Sequence, residues 1–354
     1  MPSAQENQGT SASADSTRRS ANQPQPIIIQ ERQGFGSRLK FWVLTSLLAS
    51  SLLANYMMYN EDREYFAITD GPSETFHSGN HEVVERLAII RISGTIMAPF
   101  SDRVIKAIKK ARNDDRVKGV LLAVDTPGGT VTDSHRIYHE LKMLSDKKPV
   151  VVSMGSYATS GGYFVAMGAG TNGRIFAEPT TWTGSIGVII PHYEVTDIAE
   201  KIGFKAVPLK TGEFKDSLSP FRAMTDRDKT LWENILNQSF ELFLSVIDEN
   251  RDTLDKAQVR DLATGQIYTA QDALKIGMID EIGFLEDALE ALKKAAQLEK
   301  ARVVAYHYPV SLFDVVMGSA KATDASTQWR AVLEMTVPRA MFYCSWDMPV
   351  SGSD

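Results

Sequence analysis

Three short apolar runs, LAIIRI at 87–92, VKGVLLAV at 117–124 and PVVVSM at 149–154, limit what this chain can fold into more than any other feature. They are rich in branched residues, too short for independent helices and bounded by glycine, proline or polar turns, so each reads as a strand buried on both faces. Segments with apolar residues at helical spacing lie between them, one beginning at Ser101 with a cap and one running through His135 to Leu144. That alternation implies right-handed parallel crossovers, hence an α/β domain with at least one mostly parallel sheet. Function in such sheets gathers in loops at the carboxyl ends of strands. Two of these loops are unusual: Asp125-Thr126-Pro127-Gly128-Gly129 and the stretch from Gly155 to Gly162.

The ends of the chain differ from this middle. Residues 1–36 are rich in Ser, Gln, Asn, Pro and Thr and bury too little apolar area to offset ordering, so they read as a disordered tail. Phe41 to Tyr59 carries no charge and as a helix would rise about 28 Å, close to the thickness of a bilayer core. Residues 37–60 are therefore expected to form one transmembrane anchor. Arg32, Arg38 and Lys40 precede it, while Glu61, Asp62, Arg63 and Glu64 follow, which puts the N-terminus in the cytoplasm and the bulk of the chain outside. Residues 61–85 read as a linker, 86–300 as the folded domain, and 301–354 as an extension without assignable role. Within the domain, residues 225–251 read as a long amphipathic helix capped by Thr225.

Composition excludes several functions. A net charge of -6 leaves no basic surplus for phosphates, so nucleic acid is not an expected partner. The single cysteine, Cys344, rules out an internal disulfide and a multi-cysteine metal site. His135 and His139 share a helical face but lack a nearby third ligand, so no metal is expected.

Ser160 stands before two glycines at a strand-to-helix junction, where glycine allows close approach of a substrate. The amide of Gly161 is free at a helix start, and Gly128 or Gly129 offers a second donor for a developing oxyanion. A serine nucleophile needs a base, and the turn Thr211-Gly212-Glu213-Phe214-Lys215-Asp216 delivers a lysine that can serve if a dry surrounding keeps it neutral. Asp216 is then expected to point away and serve the turn. A Ser-His-Asp arrangement using His192 with Asp125 or Asp197 is the nearest rival. A non-catalytic membrane scaffold and a thioester enzyme exploiting the glycine amides are two more.

Residues 87 to about 298 resemble the signal peptide peptidase A (SppA) family of serine-lysine peptidases, whose domain is similar to the Clp protease and crotonase fold. The segments that carry the resemblance are DTPGG, Ser160-Gly161-Gly162-Tyr163, TGSIGV at 183–188, GEFKD, and YTAQDALKIGMIDEIG at 268–283. It implies Ser160 as nucleophile, Lys215 as base, Ser185 as the hydroxyl that orients the lysine, and Gly129 and Gly161 as the oxyanion hole, with no cofactor. The family more often has Ser where this chain has Thr126, and the stretch between Ser160 and Ser185 is longer than usual. One copy of these segments marks a short form. The resemblance implies a homo-oligomer whose lysine reaches a neighbour's serine, peptide substrates such as cleaved signal peptides, and residence in the bacterial cytoplasmic membrane with the catalytic domain on the periplasmic side.

Overall fold

The computed structural model describes residues 40–53, 55–56, 71–308 and 340–343. The chain divides into two compact units, residues 1–65 and 66–354. In the first, residues 40–53 form a helix, α1, with the apolar side chains of Phe41, Trp42, Leu44, Leu47, Leu48, Leu52 and Leu53 exposed. Among the described residues no helix is long and apolar enough to cross a membrane. Residues 37–39, 54 and 57–60 of the expected anchor lie outside the described residues, as do the tail at 1–36, residues 61–70 of the expected linker, and residues 309–339 and 344–354 of the expected extension.

The second unit is built on the expected runs. The strands are β1 (Ser73–Gly79), β2 (Arg86–Ser93), β3 (Val117–Thr126), β4 (Gly128–Thr130), β5 (Val150–Thr159), β6 (Ile175–Ala177), β7 (Trp182–Gly184), β8 (Ile267–Thr269), β9 (Glu281–Ile282), β10 (Arg302–His307) and β11 (Met341–Tyr343). The helices are α2 (Phe100–Asn113), α3 (Val131–Ser145), α4 (Gly161–Ala166), α5 (Thr196–Lys201), α6 (Asp226–Asn250), α7 (Lys256–Leu262), α8 (Ala270–Ile276) and α9 (Leu285–Ala295). The main sheet runs β1-β10-β2-β3-β5-β6-β9, with β7 beside β5 and β8 beside β7. The pairs from β10 through β9 along this path are parallel, and so is β5 with β7; β1 and β8 attach antiparallel. The expected α/β class with a largely parallel sheet is what forms.

Side-chain alternation splits each central strand between two cores. Leu87 and Ile89 of β2, Leu121 of β3 and Val151 of β5 pack with Leu289 and Leu292 of α9 on one face. Ile90, Ile92, Leu122, Val124, Val152 and Met154 face the larger core under α2, α3, α4 and α6. Apolar residues facing both ways are therefore required where helices cover the sheet, and the charged residues within the runs, Arg91 and Lys118, are exposed.

Three local expectations change. Ser101 does not cap α2, which starts at Phe100 after Pro99 without a side-chain cap; Ser101 is buried in the first turn and donates to Asp133 Oδ1 at 2.9 Å. Residues 61–85, expected as a linker, include β1, and residues 301–354, expected as an extension, include β10 and β11. The sheet thus reaches past both expected boundaries, because β10 inserts between β1 and β2. By contrast Thr225 does cap α6, in a reciprocal box with Asp228.

The segment at 268–283 is a brace behind α4. Gly277 ends α8 in the left-handed region at φ 93°, and Tyr163 Oη of α4 donates to Met278 O at 3.0 Å. Burial pushes the Tyr163 phenol far above its ordinary value, so it stays a neutral donor. Arg251, nearly fully buried, donates to Gly277 O at 2.7 Å and to both carboxylate oxygens of Asp280 at 2.9 and 3.0 Å. Asp280 in turn accepts from the Ile175 amide at 2.7 Å. Arg251→Ala leaves these acceptors without their donor and should lower the unfolding free energy by about 3 kcal/mol, read from urea denaturation of the purified protein.

Candidate active site

Ser160 closes β5 with φ 53° and ψ −112°, a combination that an L residue adopts only under constraint. The constraint comes from both sides. Its N–H donates to Gly184 O at 2.7 Å, and its carbonyl accepts from Phe164 N–H at 2.9 Å as α4 begins. Phe164 is fully buried against Tyr138 and Phe243, with ring centroids 5.4 and 5.1 Å away. The sharp turn leaves the Ser160 side chain buried, with Oγ making no hydrogen bond among the described residues.

Ser185 follows Gly184, the residue that holds the Ser160 amide. It too has positive φ, at 51°, is nearly buried, and donates its N–H to Gln266 O at 2.7 Å. The two serines that the sequence singled out thus lie on adjacent strands, because β5 and β7 pair as Thr159 opposite Gly184.

The glycines of DTPGG meet the same place. Gly128 has φ 103°, and a methyl group on it would lie 2.7 Å from Gly161 N, so the two loops touch backbone to backbone. A methyl on Gly129 would lie 2.0 Å from Ile96 O. Thr126 holds this turn with its hydroxyl, which accepts from Gly128 N–H at 3.1 Å and donates to Gly94 O at 2.5 Å. A hydroxyl is what the position uses, and threonine supplies it as serine would.

Lys215 sits apart from this cluster, exposed in the 3₁₀ turn Glu213–Asp216. That turn leans on the first half of α6: Trp232 Nε1 donates to Ser217 Oγ at 3.0 Å. The contact of α6 with α4, at Phe243, is about 16 Å further along its axis at 1.5 Å per residue. No Ser160–Lys215 hydrogen bond forms within the chain, and Lys215 is exposed rather than held in the dry surrounding expected for it. Asp216 does serve the turn, taken by Lys210 at 2.7 Å and Arg222 at 3.0 Å. Arg222 also binds buried Asp228 at 2.7 Å, tying the lysine turn to the cap of α6.

The rival triad is not assembled. The buried Nε2 of His192 has no hydrogen-bond partner among the described residues, Asp125 accepts from the Tyr157 amide at 3.3 Å, and Asp197 is exposed on α5. His135 and His139 are exposed on α3. Among the described residues no group of His, Cys, Asp and Glu is arranged to hold a metal. The supporting residues missed in the sequence are Arg251 and Asp228, both charged residues in polar surroundings; the only hint for Asp228 was its place three residues after Thr225.

Comparison with known proteins places the fold. Residues 142–299 match Peptidase family S49 and residues 77–199 match Clp protease. The class is thus a serine peptidase on a Clp-type sheet. A predicted protease of Synechocystis sp. is 35% identical over 219 residues, covering 62% of this chain and 77% of that one. A predicted signal peptide peptidase SppA of Enterococcus faecium is 35% identical over 235 residues, 66% of each chain. Protease 4 of Haemophilus influenzae is 33% identical over 231 residues, covering 63% of this chain but 36% of that one. The chain belongs to the SppA family of serine peptidases, family S49.

Two outcomes test this geometry. Replacing Ser160 by Gly removes a strained side-chain-bearing residue and should raise the unfolding free energy by about 1 kcal/mol, measured in urea. Arg222 above all holds the Asp228 carboxyl far below the ordinary carboxylate range against the cost of burial, with Thr225 adding two hydrogen bonds. A lowered native value stabilises above the unfolded value of about 4 and is lost as pH falls through the native one. The stability gap between wild type and Asp228→Asn should therefore be flat from about pH 5 to 8 and narrow below about pH 4.

Proposed function

We propose that the chain is a membrane-anchored serine endopeptidase that hydrolyses apolar peptides, cleaved signal peptides among them, through a Ser160–Lys215 dyad and an acyl-enzyme. The observation that carries this reading is Ser160, a buried serine in strained backbone whose Oγ makes no hydrogen bond among the described residues. Strain and an unmade bond persist where function needs them.

In this reading neutral Lys215 takes the Ser160 proton, Oγ attacks a peptide carbonyl, and the amides of Gly129 and Gly161 hold the oxyanion. The lysinium protonates the leaving amine, and water hydrolyses the ester by the same relay. Ser185 orients the lysine. The lysine comes from a neighbouring copy of the chain. Support for this assembly is the stretch from Ile189 to Phe221, where Tyr193, Ile198, Ile202, Phe204, Val207 and Leu209 are all exposed. An apolar strap of that extent marks a surface made for contact, and burying it would also dry the lysine turn it leads into.

The uncharged stretch Phe41–Tyr59, with basic residues before it and acidic ones after, supports an anchor in the bacterial cytoplasmic membrane with the catalytic domain on the periplasmic side. Substrates left in the bilayer then meet the cleft directly.

A fluorophosphonate should label wild-type protein at Ser160 and leave Ser160→Ala unlabelled. Lys215→Ala should lower peptide turnover by at least about 10²-fold, since a general base contributes that much. Mixing Ser160→Ala with Lys215→Ala protein should restore part of the activity, because some interfaces then join an intact serine to an intact lysine. Absence of labelling in the assembled wild type sinks the proposal; labelling without rescue sinks the shared site.

A further inference from the structure

Ser134 carries a hydroxyl that the fold does not use. It is the fourth residue of α3 and as fully buried as Ser160, and its Oγ makes no hydrogen bond among the described residues. A serine inside a helix has an acceptor close by, the carbonyl four residues back, and Ser134 leaves it untaken. Burying an unpaired hydroxyl costs more stability than alanine would at the same place. Such a group persists where a ligand or a reaction supplies the missing bond.

Its position shows what supplies it. A methyl on Gly161 would lie 2.6 Å from Ser134 Oγ, 3.0 Å from Phe342 O and 3.1 Å from Gly128 Cα. A Cβ stands about 2.5 Å from its own residue's nitrogen, so Ser134 Oγ is within about 5 Å of the Gly161 amide. Two donors can share one oxygen when they stand less than about 5.6 Å apart, each giving a bond of about 2.8 Å. Ser134 and Gly161 meet that condition. The helix that carries the hydroxyl also continues directly from β4, the strand that carries Gly129, and Thr130 caps it. Its N-terminal end favours negative charge. Small size does not account for the residue, because alanine at 134 would relieve the close approach to Gly161 and remove the unpaired group at once.

We propose that Ser134 is a third oxyanion donor, its hydroxyl bonding to the substrate's carbonyl oxygen beside the amides of Gly129 and Gly161. This inference rests on the serine-peptidase reading above. When Ser160 Oγ bonds to the carbonyl carbon, the π pair of the C=O bond moves onto oxygen and the serine proton passes to the base. Ser134 donates to that oxygen and keeps its own proton. The pair returns as the C–N bond breaks, and the same donation recurs when water attacks the ester. This hydrogen bond strengthens as charge builds, so it lowers the barrier more than it tightens substrate binding. A serine hydroxyl stays neutral throughout, so the pH dependence set by the base is unaffected.

The test is steady-state peptide hydrolysis by the full chain purified in detergent, with fluorophosphonate labelling, urea denaturation and inhibition by a peptidyl aldehyde in parallel. Ser160 adds to the aldehyde and gives a hemiacetal whose oxygen sits where the oxyanion forms. Ser134→Ala should lower kcat at least about tenfold with KM within about twofold, and weaken aldehyde binding at least about tenfold. It should keep the wild-type pH profile and unfold at no lower urea concentration. A Ser134→Ala chain that matches wild type in kcat, loses kcat without weakening the aldehyde, shifts the pH profile, or loses activity together with stability overturns this inference and leaves the peptidase reading intact. A wild-type chain that neither labels nor cleaves removes both.

Discussion

The hydrogen bond from Ser160 N–H to the Gly184 carbonyl, 2.7 Å long, holds the geometry on which the site depends. It crosses from the end of β5 to the end of β7 and fixes both serines at once, because Ser185 follows Gly184 directly and has a positive φ as Ser160 does. Each strained residue is over-determined. Ser160 is pinned by Gly184 before it and by the first turn of α4 after it; Ser185 is pinned by Gln266 of the loop that enters β8. Removing water from around these bonds strengthens them, and the two cores supply that dryness from both faces of the sheet.

Behind that bond the structure is layered in its demands. The parallel sheet needs apolar residues on both faces, and α9 and the α2–α6 group cover them. The brace of Arg251, Asp280 and Tyr163 then locks α4 from behind, so that the helix start cannot relax the strain at Ser160. The lysine turn has a separate anchor. Its ion pairs to Arg222 and, through Arg222, to Asp228 set its position relative to α6, not to the serine. One chain thus fixes the serine turn and the lysine turn by separate sets of contacts.

What could be read in the sequence follows from this division. The central strands were legible because burial on both faces makes each run mostly apolar, a local signal. The strand-to-helix turn at Ser160 was legible from Ser-Gly-Gly after a strand, and the cap at Thr225 from capping chemistry. The pairings of β1 with β10 and of β11 with β4 were not, because each joins residues more than 200 positions apart and short edge strands carry no period of their own. Lys215 has no local signature either; an exposed lysine in a polar turn stands out only through the resemblance of GEFKD to a family pattern. Arg251 looked like the polar end of a helix, and only its partner Asp280, on the far side of α7 and α8, makes it a buried brace.

The position of β10 also sets an order on synthesis. β10 supplies the parallel neighbour of β2 and the antiparallel neighbour of β1, so until residues 302–307 have left the ribosome β2 keeps a bare hydrogen-bonding edge and β1 has nothing to pair with. A nascent chain of this protein therefore carries an unfinished sheet through most of its translation, and closure waits on a strand encoded downstream of every residue assigned to the chemistry.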